Sequence, residues 1–217
     1  MLDIGVILQA PMEDKSWFKK CALMGLLTCA LLLVPLVGPI VGSLNALGWM
    51  RSYAEARMRG EKELPEAGLA YIGAGWRIFL MYLPVAGLLI GVIGVIGGIV
   101  GAGVAMENET IIAIGAIVGT IAFLPVTLWL VAFNPGMLYL HIVHGEQWAS
   151  LRFSQQWSLA KKTGTEYLLL WVAFLLAGVI TQVGIIACGV GLIVSMMYGY
   201  AMQGAAIAEY ARITKNA

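Results

Sequence analysis

Four stretches of this chain, Cys21 to Met50, Ile78 to Met106, Thr110 to Leu140 and Tyr167 to Ala208, contain no charged residue. Each exceeds the roughly 20 apolar residues that cross about 30 Å of hydrocarbon. Lipid offers no partner to a backbone amide, so a stretch of this kind must bond within itself, as a helix does. Only 12% of the residues are charged while 60% are apolar, and the mean hydropathy is +0.88. That leaves too little polar surface to coat a water-soluble globule. The expected fold class is all-α, a polytopic integral membrane helical bundle forming a single domain over residues 1–217.

The last run has 42 residues, about 63 Å of helix, too long for one straight crossing. A hairpin is expected there, turning at the CGVG of residues 188–191. The first run, of 30 residues, is long for one span and short for two. Pro35, Gly38, Pro39 and Gly42 mark a break in its middle.

Charge decides between the two readings. With a single crossing, Lys15, Lys19 and Lys20 lie opposite the other ten cationic residues; with a hairpin, all thirteen Lys and Arg share one face. Only Glu107 and Glu109 then remain as charges on the other. The positive-inside rule favours the hairpin and predicts six transmembrane helices with both termini cytoplasmic. The spans are expected at about 17–37, 41–58, 78–104, 110–143, 166–187 and 190–210, with a cytoplasmic amphipathic segment at about 147–162. Location in a cell membrane, crossed several times, follows from that assignment.

The first sixteen residues mix acids with a short apolar run, unlike a secretory signal, so the first span is expected to stay in the mature protein. Trp17, Trp49, Trp76, Trp148 and Trp157 should form an aromatic belt at the inner boundary. Arg51, Glu55 and Arg59, at i, i+4 and i+8, form a charge cluster on the cytoplasmic face whose members can pair along the helix. Both cytoplasmic connections begin with Gly-Glu, at 60–61 and 145–146, a loose internal echo between two three-span halves of opposite orientation.

The stretches QAPMEDKSWFKK, VPLVGPIVG, GWMRSYAEARMRGEKELPE and MYGYAMQGAAIAEYARI resemble prokaryotic membrane proteins grouped as domain of unknown function 4013. The resemblance implies a multi-span integral membrane protein. It carries over no catalytic residue, because that family has no assigned activity.

Chemistry-bearing residues are few. His141 and His144, three apart near the end of the fourth span with Glu146 beyond, are the candidates for holding a haem, a pigment or a metal. Two histidines fall short of a metal's usual ligand set, and no second Cys, His or Asp cluster completes it. No metal or cofactor is therefore expected. Cys21, Cys29 and Cys188 lie in apolar runs as small hydrophobes.

Gly87, Gly91, Gly94, Gly97, Gly98 and Gly101 line the third span, and Gly115 with Gly119 continues the spacing in the fourth. Such spacing lets helices approach closely in lipid. Pro125 and the Asn134-Pro135 pair should kink the fourth span.

No ionisable residue stands deep in a span, which weighs against a proton-coupled pathway. No nucleophile and base pattern occurs, so catalysis is not expected. The net charge of +1 speaks against a nucleic-acid partner. The leading expectation is a non-catalytic accessory or scaffolding subunit of a membrane complex, its partners the lipid bilayer and other membrane subunits or a second copy. The alternatives are a transporter or channel for a small neutral or lipid-like solute, and a haem or pigment protein using His141 or His144.

Overall fold

The computed structural model describes residues 1–186 and 190–215. Among these, 84% are helical and none lies in a strand. Eight α-helices are found among them: α1 (Ile4–Gln9), α2 (Trp17–Leu32), α3 (Gly38–Met58), α4 (Ile72–Ala105), α5 (Glu109–His144), α6 (Phe153–Thr163), α7 (Thr165–Ile186) and α8 (Val190–Lys215). Residues 188 and 189 of the expected CGVG turn lie outside the described residues, and Gly191 belongs to α8.

Four helices, α4, α5, α7 and α8, are long and apolar enough to cross a membrane. Six were expected. Helix α2 has only 16 residues, and α3 carries Arg51, Glu55 and Arg57 in its second half.

The break at Pro35 and Pro39 is a real turn. Helix α2 ends at Leu32, Leu36 adopts a positive φ of 66°, and α3 starts at Gly38. The two helices pack antiparallel, Met24 lying near Asn45 while Gly42 meets Thr28. Neither proline has an N–H to leave unpaired, while Val37 and Gly38 donate to the carbonyls of Pro35 and Val34 at 2.8 and 3.0 Å. An otherwise apolar tip is thereby largely relieved of orphan donors.

Because the hairpin returns, the start of α2 and the end of α3 meet. Asp14 and Lys20 form a buried ion pair at 3.0 Å, and Lys20 also donates to the Leu64 carbonyl at 2.7 Å and contacts Glu66 at 3.1 Å. Arg57 reaches Glu13 at 3.2 Å and Glu209 at 3.8 Å, and Lys62 reaches Glu13 at 3.2 Å. The amide of Leu2 donates to Glu166 at 2.6 Å, and the hydroxyls of Tyr139 and Thr214 lie 2.8 Å apart. The opening segment, the ends of α3, α5 and α8 and the start of α7 thus gather at one end of the bundle.

The opening segment is part of that bundle. Asp3 caps α1 by accepting from the amides of Gly5 and Val6 at 2.8 and 3.3 Å. Leu2, Ile7 and Ala10 are buried, and Tyr53 donates to the Ala10 carbonyl at 3.0 Å.

Helix α8 is the centre of the fold. Its alanines and glycines let neighbours approach to backbone contact, Gly199 against Ala177 and Gly204 against Met50. One core joins α2, α3 and α8 around Met24, Trp49, Tyr53 and Met197. A second joins α3, α4, α5, α7 and α8 around Met50, Met81, Met137, Leu170 and Tyr210.

Helices α4 and α5 form a long hairpin closed by Met106–Asn108, with Asn108 capping α5 through the amides of Thr110 and Ile111 at 3.0 and 3.2 Å. At 34 and 36 residues they run about 51 and 54 Å. None of the three buried cores draws a residue from positions 86–128.

Candidate functional site

The glycines of the α4–α5 hairpin fall into two groups. A side chain at Gly115 would meet Val100 at 2.8 Å, and one at Gly119 would meet Ile96 at 3.0 Å. These two glycines of α5 receive the branched side chains of α4 and close the hairpin. On α4 the arrangement differs. A Cβ at Gly87, Gly91, Gly94, Gly97, Gly98 or Gly101 would find no atom of the described residues within 4 Å. The small-residue face of α4 is therefore not used by the hairpin's own packing.

Other close crossings use glycines that the sequence reading passed over. Gly48 and Gly75 bring α3 and α4 together, a Cβ at Gly48 striking the Tyr71 carbonyl and one at Gly75 striking that of Leu44. Gly25 stands likewise against Ile193. None of them belongs to a run at four-residue spacing, so spacing gave no signal.

All three internal prolines sit inside continuous helices, Pro84 in α4 and Pro125 and Pro135 in α5. Pro135 cannot donate to the carbonyl of Val131, four residues earlier. That carbonyl instead accepts from the Trp171 indole at 3.0 Å, and the Tyr167 hydroxyl donates to the adjacent Ala132 carbonyl at 3.1 Å. Asn134 is bonded by the Tyr82 hydroxyl. A cavity of about 280 Å³ opens beside this break, between Asn134, Trp171, Phe174 and Gln203.

The histidines are separately engaged. His141 is buried and its Nδ1 lies 3.1 Å from the Glu146 carbonyl, while His144 is exposed and its Nε2 lies 3.3 Å from the Tyr139 hydroxyl. No group of three or more His, Cys, Asp or Glu able to hold a metal ion occurs among the described residues.

Both Gly-Glu connections start with a left-handed glycine, Gly60 at φ 88° and Gly145 at φ 70°. After α3, the amides of Gly60 and Glu61 donate to Arg57 and Ala56, a Schellman closure. Arg51 pairs with Glu55 at 2.7 Å, but Arg59 turns away to Glu61 at 2.7 Å. Trp49 is not part of an aromatic belt. It is fully buried and donates to the Pro65 carbonyl at 3.0 Å, because residues 60–71 fold back along α3. Trp76, Trp148 and Trp157 are exposed.

The electrostatic centre is Asp14. Burial pushes its carboxyl up, but hydrogen bonds from Ser16, Lys20 and the Leu64 amide outweigh that and hold it at about 2. Cys21 is buried beside it, Cys29 is half-buried, and Cys188 lies outside the described residues.

No curated protein and no solved structure matches the chain. Residues 30–190, about three-quarters of it, match the family described as Protein of unknown function (DUF4013). That match contains the proline break and the basic helix, and it leaves out the opening and closing stretches that also carried the resemblance. With so much of its length matched, and with helices able to span a membrane, the chain belongs to the DUF4013 family.

Proposed function

We propose that this protein is a non-catalytic subunit of a cell-membrane complex, with both termini cytoplasmic and α4 as the helix it offers to other subunits or to a second copy. The observation that carries the reading is the open glycine face of α4, which the α4–α5 hairpin leaves unfilled while filling Gly115 and Gly119. In lipid, close backbone approach is what small residues provide. The gathering of both terminal segments at one end of the bundle supports an even number of passages. The cationic ends then face the cytoplasm by the positive-inside rule.

In this reading four helices cross the membrane and the α2–α3 pair, expected as two further spans, does not cross it. From Lys20 to Leu33, and from Pro39 to Arg51, each arm spans only about 20 Å, short of about 30 Å of hydrocarbon. The pair enters and leaves on the cytoplasmic side.

Purification in mild detergent tests the proposal. Stoichiometric copurification of a second membrane protein, or of a homo-oligomer, is expected and should be lost on substituting Gly94→Leu and Gly98→Leu together. A monomer without partners would end it. The cavity beside Asn134 and Gln203 favours a second reading, a pathway for a small neutral solute, which flux assays in reconstituted vesicles would test.

A further inference from the structure

A cleft of about 470 Å³ lies between the end of α5 and helix α6, with His144, Glu146, Ser154, Ser158 and Lys162 on its walls. Ser154, Ser158 and Lys162 recur at four-residue spacing and so share one stripe of α6. The only carboxylate among these residues, that of Glu146, is paired with Arg152 at 3.0 Å. No carboxylate of the described residues comes within 4.0 Å of the Lys162 ammonium. The cleft is thus lined by two hydroxyls, an imidazole and a cation whose charge is not neutralised nearby. The first turn of α6 adds to this, since Arg152 at its N-cap makes no side-chain cap bond.

The rest of α6 suits a membrane boundary. Phe153 and Trp157 stack with ring centroids 6.2 Å apart and are 51% and 47% exposed; Trp148 and Leu151 are exposed beside them. Lys161 lies 5.3 Å over the Trp157 ring. Exposed rings flanked by lysines are what an interfacial helix carries where acyl chains meet headgroups.

We propose that this cleft binds the phosphate group of an anionic membrane lipid, with Lys162 and His144 facing the phosphate and the hydroxyls of Ser154 and Ser158 donating to its oxygens. The proposal needs α6 at the membrane surface. It does not need any partner subunit.

The test uses the full chain in detergent and in nanodiscs, with phosphatidic acid, phosphatidylcholine and inorganic phosphate as probes. Native mass spectrometry should show wild-type protein retaining phosphatidic acid in preference to phosphatidylcholine. Lys162→Gln should weaken that retention about fivefold, and Ser154→Ala with Ser158→Ala should weaken it as well. Lys161→Gln removes an equal charge one residue away and should retain the lipid. Equal loss from both lysine variants would reduce the effect to general surface attraction and overturn the proposal. So would protection of lipid-stripped protein by inorganic phosphate to the same extent as by phosphatidic acid, since the ligand would then be a free anion.

Discussion

The Trp171 indole nitrogen on α7 donates to the Val131 carbonyl on α5 across 3.0 Å, filling the place left by the missing N–H of Pro135. A break in one helix is thereby mended from another. Trp171→Phe leaves that carbonyl without a donor in a lipid setting, at a cost of about 1 kcal/mol. The same substitution made with Pro135→Ala should cost less, because an alanine amide can take over the bond. Thermal unfolding of the four proteins in one detergent measures the coupling, and strictly additive losses would contradict the account.

The crossing of α3 and α4 rests on Gly48 and Gly75. Gly48→Val should abolish recovery of folded monomer, since the new methyls would strike the Tyr71 carbonyl. Gly94→Val, on the open face, should leave the monomer's melting temperature nearly unchanged. Fluorescence-detected gel filtration after heating distinguishes the two.

The ion pair of Asp14 and Lys20 is enclosed by protein, so removing one partner strands the other. Lys20→Met should destabilise the fold by about 3 to 5 kcal/mol, and adding Asp14→Leu should recover part of the loss. Chemical denaturation in mixed micelles provides the values.

Acid has a defined window of action. The Asp14 carboxyl is held at about 2 in the fold against an ordinary 3.8, so its contribution is complete above 3.8 and is lost as pH falls through about 2. The size is about 2 kcal/mol. Melting temperature followed from pH 5 downward should fall more steeply for wild type than for Asp14→Asn across that range.

The α2–α3 tip gives a topological test. In a chain freed of its native cysteines, Leu36→Cys should resist a membrane-impermeant maleimide applied to intact cells. Asn108→Cys should react, and Lys62→Cys and Lys161→Cys should react only after permeabilisation. Labelling at 62 or 161 from outside would reverse the orientation.

Much of this was legible in the residues. Charge-free runs locate α4, α5, α7 and α8 because lipid permits little else, and Pro35 with Pro39 locates the turn before α3 because neither can continue a helix amide ladder. The role of the opening segment was not legible. Ile4, Ile7 and Leu8 are too few to register as an element; α1 is held by packing against α7 and α8, and Ile7 is buried within it. The burial of Trp49 was hidden for a related reason: it depends on residues 60–71 folding back, which no local pattern encodes. Glycine density drew attention to α4, whereas the close contacts of Gly48 and Gly75 depend on partners more than twenty residues away in sequence.

The α4–α5 hairpin has a further consequence. Rods of about 51 and 54 Å in a sheet of oil about 30 Å deep must lean, bend or jut beyond it. Among the described residues none of the three buried cores reaches positions 86–128, so a thinner or thicker bilayer should be answered mainly by a change in that inclination.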